Sequence, residues 1–93
     1  MAARITVERQ REGEYRVVVA EGGSRTTHAV TVDDAYHRRL TGGKVSPEEL
    51  VRGSFEFLLE REPKESILGT FELPVIGRYF PQYEREMRRR LGG

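Results

Sequence analysis

Apolar and polar residues alternate through the first third of the chain. In RITVER, Ile5 and Val7 point one way while Arg4, Thr6 and Glu8 point the other. Tyr15, Val17 and Val19 share a face in YRVVVA. In TTHAVTV, His28, Val30 and Val32 do the same, opposite Thr27, Ala29 and Thr31. A period of two in β-branched and aromatic residues predicts strands buried on one side. Between the segments lie REGE and EGGS, with the glycines that tight hairpin turns use for positive φ. The pattern predicts a three-stranded antiparallel β-meander over residues 1–32, whose apolar face needs a covering layer.

After Val32 the period changes. Asp33 or Asp34 is placed to cap a short helix through Leu40, ended by Gly42-Gly43. In SPEEL, Ser46 is the N-cap, Pro47 suits the first helical position and Glu49 completes a capping box. This long central helix is predicted to reach about Glu62 and stop at Pro63. Around it, Leu50, Val51, Phe55, Phe57, Leu58 and Leu59 cover an arc of about 200°, wider than the ~100° stripe of a surface helix. Glu49, Arg52, Gly53, Glu56 and Glu60 fill the rest. So wide an apolar surface requires protein on two sides, the sheet on one and the C-terminal segment on the other. That segment is broken by Gly69, Pro74, Gly77 and Pro81 into short pieces, with Pro74 and Pro81 each opening a helical stretch. The expected architecture is a single α+β domain spanning residues 1–93, with the meander in 1–32 and the helical part in 33–93.

Composition narrows the function. Ninety-three residues support one core. Sixteen Lys and Arg against fifteen Asp and Glu leave a formal charge of +1, without the basic excess on which phosphate-driven binding relies. The chain has no cysteine, which excludes disulfides, a thiolate nucleophile and Cys-ligated zinc. Its longest apolar run, Val17 to Ala20, is far short of a membrane span, and MAARITVERQREG has no signal-peptide core. A cytoplasmic protein with no membrane contact is the expectation.

The candidate chemistry is sparse. On a helix starting at Pro81, Tyr83, Met87 and Leu91 form a buried stripe. Glu84 precedes Arg88 by four residues and Glu86 precedes Arg90 by four, the favourable order for helix ion pairs. The terminal arginines are therefore expected to coat a solvated face, with Arg85 and Arg89 left over. TGGK lacks the upstream glycine of a phosphate loop, because Arg38 occupies that place and Val45 follows the lysine. His28 and His37 have no third ligand at a recognisable spacing, and Asp33-Asp34 is better placed for capping than for acid–base work. No catalytic constellation, cofactor site or metal site is predicted, and the expectation is that the chain is not an enzyme.

The densest cluster is FELPVIGRYFPQY, where Phe71, Tyr79, Phe80 and Tyr83 stand with Arg78. Aromatics with arginine are what interface hot spots favour, so Arg78, Tyr79, Phe80 and Tyr83 are a candidate interface. The competing role for these rings is to close the second side of the central helix. The third strand, RTTHAVTV, has few charges and no proline, which makes it a second candidate surface as a sheet edge. The expected function is a non-enzymatic binding or self-association domain, with a protein partner or a second copy as a homodimer.

Two resemblances add to this reading. THAVTVDDAYHRRL and VSPEELVRGSFEFLLER, within residues 27–61, are similar to the ribbon-helix-helix DNA-binding regulators, in which a strand precedes a helix, a capped turn and a longer helix. That resemblance implies a DNA-binding transcriptional regulator, with Arg25, Thr27 and Thr31 facing the major groove and Ser46 at a phosphate. The two strands before it, pairing within the chain, compete with the intermolecular ribbon of that family. Separately, VSPEELVRGSFEFLLEREPKESIL followed by VIGRYFPQYE is similar to a group of small bacterial proteins that carry no assigned activity. This second likeness implies no chemistry and no site residues.

Overall fold

A computed structural model describes residues 3–92. Strands β1 (Arg4–Arg11), β2 (Glu14–Glu21) and β3 (Ser24–Thr31) form the expected antiparallel meander. Ile5, Tyr15, Val17, Val19, His28 and Val30 point into the core, as the period of two requires. Gly22 and Gly23, at φ 64° and 84°, make the turn between β2 and β3, a conformation costly for any residue with a Cβ.

The sheet has a fourth strand. In β4 (Thr70–Glu72) the chain runs parallel to β3, giving a mixed sheet in the order β1-β2-β3-β4 rather than a three-stranded meander. Ala29 pairs with Thr70, Val30 with Phe71 and Thr31 with Glu72, and the Ala29 N–H donates to the Gly69 carbonyl at 2.7 Å. Only Phe71 of the three strand residues is buried, so no alternation is visible in TFE. The consequence is a partial correction: β4 covers the outer edge of β3 at Ala29–Thr31, while Ser24–His28 pairs with β2 alone.

Helix α1 (Asp34–Thr41) is capped by Asp33, whose Oδ1 accepts from the Tyr36 N–H at 2.7 Å, and ends at Gly42 with φ 66°. Helix α2 (Pro47–Leu59) has its full capping box: Glu49 N–H donates to Ser46 Oγ at 3.1 Å, and Ser46 N–H to Glu49 Oε1 at 3.3 Å. It stops at Leu59 rather than Glu62. Arg61 and Glu62 N–H both donate to the Leu58 carbonyl as the chain tightens ahead of Pro63, which disfavours helical backbone at the residue before it.

The sheet covers one side of α2, and the C-terminal segment covers the other. Leu50, Val51, Phe55, Phe57 and Leu58 are buried, and Leu59 is half-buried. Gly53, expected on the polar arc, is buried as well, because Leu91 packs there: a Cβ at position 53 would sit 3.1 Å from Leu91 Cδ1. Beyond Pro63 the chain forms short 3-10 turns at Lys64–Ser66 and Leu73–Val75, then α3 (Ile76–Tyr79) and α4 (Tyr83–Met87). Pro81 itself lies in a turn before α4, and the last turn, Arg88–Gly92, is a π-helix. None of the helices is long and apolar enough to cross a membrane, among the described residues.

Candidate functional site

The end of α2 meets the segment from Lys64 to Phe80, and between them lies a groove of about 190 Å³. Leu58 forms its floor with Ile67, Phe71 and Ile76, all buried side chains. Each is placed by a local constraint. Phe71 is the core-facing residue of β4, and Ile67 follows the Lys64–Ser66 turn. Ile76 opens α3 after Pro74 has set the preceding turn. Leu68, 47% exposed, and Tyr79, 66% exposed, are the large apolar side chains left in solvent among the described residues. Both line this groove. Ser66, Glu62 and Tyr79 are the lining residues with polar side-chain groups. Burial pushes the Glu62 carboxyl above its ordinary value of 4.5, since the charged form loses water beside the apolar wall.

His28 anchors the rim from behind. Its Nδ1 lies 2.7 Å from the Leu68 carbonyl and its Nε2 2.8 Å from Thr26 Oγ1. A carbonyl can only accept, so Nδ1 carries the proton and donates, while a neutral ring accepts at Nε2 from the threonine hydroxyl. The ring also packs 5.2 Å from Phe55. His28 is therefore a buried, satisfied bridge from β3 to the groove wall. His37 donates from Nε2 to the Val45 carbonyl at 2.6 Å and so closes the loop between α1 and α2.

The four residues of the expected aromatic interface part company. Tyr79 and Phe80 line the groove, and Arg78 is exposed beside Tyr79. Tyr83 is not at a surface: it is fully buried, with its ring 5.4 Å from Phe57. Its hydroxyl lies 2.6 Å from Ser54 Oγ, which donates its own proton to the Leu50 carbonyl at 2.8 Å, so the phenol is the donor between the two. Burial pushes that phenol well above its ordinary value. Phe80 faces both ways, half-buried and edge-on to Phe57 at 5.9 Å.

The residues singled out by the likeness to ribbon-helix-helix regulators also separate. Arg25, Thr27 and Thr31 point outward from β3 on the uncovered face of the sheet. β3 pairs with β2 along its length and with β4 at Ala29–Thr31, so a second chain could add to its outer side only along Ser24–His28. Ser46 holds the start of α2 through its own capping bond.

The terminal arginines have carboxylate partners. Arg88 lies 3.9 Å from Glu84, and Arg90 Nε lies 3.2 Å from Glu86. Arg90 also reaches Glu60 at 2.9 Å, tying the last turn to the end of α2. Arg89, expected to be left over, pairs with Glu86 at i, i+3.

Sequence reasoning missed Leu68, Ile67, Val75 and Glu62 as groove residues. Val75 stands one turn before Tyr79, whereas Glu62, Ile67 and Leu68 lie in a stretch without periodicity and meet Tyr79 only in the folded groove. No protein-family model matches the chain, and neither the curated proteins nor the solved structures give a match.

Proposed function

We propose that the protein is a non-enzymatic binding domain that associates with protein through the groove between α2 and α3. The observation that carries this reading is the convergence of Leu68 and Tyr79 on one apolar groove. Large apolar side chains left in water cost free energy that a partner recovers by covering them. The groove is apolar with one carboxylate at its wall, which suits a large side chain presented next to a hydrogen-bond donor or a cation. Tyrosine at the rim also fits the composition of interface hot spots.

The alternative is a DNA-binding regulator. Arg25, Thr27 and Thr31, exposed together on the outer face of the sheet, are what favours it. Affinity capture with and without nuclease separates the two, using the wild-type chain and the Tyr79→Asp variant. The binding domain predicts nuclease-resistant recovery of a protein, this chain included, that Tyr79→Asp abolishes. Recovery that is lost to nuclease and indifferent to Tyr79→Asp overturns the proposal in favour of the regulator.

A further inference from the structure

We infer that the groove is filled by the Arg78–Tyr79 pair of a second copy of this chain, exchanged reciprocally about a twofold axis. The inference rests on the binding-domain reading and names the occupant. Size is the first argument. An apolar cavity of about 150 Å³ takes a benzene ring, so a groove of about 190 Å³ accommodates one aromatic side chain. Tyr79 is an aromatic side chain held out in water, 66% exposed, on a helix only four residues long.

Charge is the second argument. The groove's one carboxylate-bearing lining residue is Glu62, half-buried against an apolar wall. A carboxylate in that position is stabilised by a cation arriving with the occupant. Arg78 precedes Tyr79 and is exposed, so the pair supplies a ring for the apolar floor and a guanidinium for Glu62. The phenol hydroxyl, unlike a phenylalanine ring, can also remain hydrogen-bonded at the groove mouth.

Symmetry is the third. Knob and hole sit on the same rim, because Tyr79 lines the groove into which its counterpart would enter. A twofold axis beside that rim lets residue i meet j while j meets i, closing the assembly at two copies. Leu68, 47% exposed on the same rim, is then covered by the other copy.

Sedimentation equilibrium of the full chain at micromolar concentration tests this, with circular dichroism confirming that each variant is folded. The wild type is expected to dimerise. Glu62→Arg and Arg78→Glu each disperse the dimer, and the double exchange Glu62→Arg/Arg78→Glu restores it. Tyr79→Asp raises the dissociation constant by at least ~30-fold, as losing a hot-spot side chain does. A wild-type monomer mass throughout the range, or a dimer indifferent to all these substitutions, overturns the inference. A 15N-labelled sample titrated with a peptide of sequence GRYFPQ then separates the two readings. Shifts at Leu68, Phe71 and Tyr79 in a monomeric protein retain the groove as a binding site for another protein. Their absence removes the binding reading as well.

Discussion

At the scale of single residues, burial and hydrogen-bond satisfaction decide what each candidate side chain does. His28 illustrates this. A lone histidine on an apolar strand face reads as a hydrogen-bonded core residue before it reads as a catalytic one, and its two ring nitrogens lie against the Leu68 carbonyl and the Thr26 hydroxyl. Side-chain 15N shifts should show a proton on His28 Nδ1; a ring protonated at Nε2 alone would remove the bond to the Leu68 carbonyl. Leu58 carries a second expectation. It is 3% exposed and forms both the packing of α2 and the groove floor. Leu58→Ala should cost about 2–5 kcal/mol in chemical denaturation, the range for buried leucines. A change below ~0.5 kcal/mol would place the residue on the surface.

At the scale of elements, what the chain writes locally was legible and what it writes at a distance was not. The three hairpin strands, the Ser46–Glu49 capping box and the Asp33 cap each rest on neighbours within a few residues, so pattern and composition were enough to find them. Strand β4 rests on register with β3 across forty residues of sequence, and its three residues carry no period of their own. Half of the groove was hidden for a similar reason: Tyr79 and Phe80 stood out by composition, whereas Leu68 and Glu62 acquired a role only where the folded chain sets them beside Tyr79. The burial of Gly53 likewise depends on Leu91, a contact from the far end of the chain. Arg90 joins two such distant elements, α2 through Glu60 and the last turn through Glu86. Hydrogen bonds from Arg90 and Arg61 hold the Glu60 carboxyl below its ordinary value of 4.5. The unfolded chain therefore binds more protons than the native one just below that value. Its contribution to stability is complete above pH 4.5 and is lost as pH falls through the depressed native value. Glu62, raised, works in the opposite sense, its contribution fading as pH rises past 4.5. Arg90→Gln should consequently flatten the acid limb of stability while leaving the Glu62 contribution intact. Urea midpoints measured from about pH 6 to about pH 3 read this directly; an unchanged slope below pH 4.5 would mean that the pair is solvent-screened to nothing.

At the scale of the whole molecule, the distribution of charge weighs more than the count of arginines. The chain's formal charge is +1, and Arg88, Arg89 and Arg90 are each engaged with Glu84, Glu86 or Glu60. A phosphate backbone would compete with those carboxylates for the three guanidinium groups and would be repelled by them. Counterion release, the source of salt-dependent nucleic-acid affinity, therefore has little to draw on at this end of the molecule. The expected outcome is that replacing all three arginines by glutamine changes duplex retention little, in gel-shift or filter-binding measurements across a salt series. Submicromolar duplex binding that weakens steeply with salt and disappears in the triple variant would show the opposite. The carboxylates would then be internal competitors for a nucleic-acid surface, and the C-terminal turn, rather than the groove at Tyr79, would be the working face of the protein.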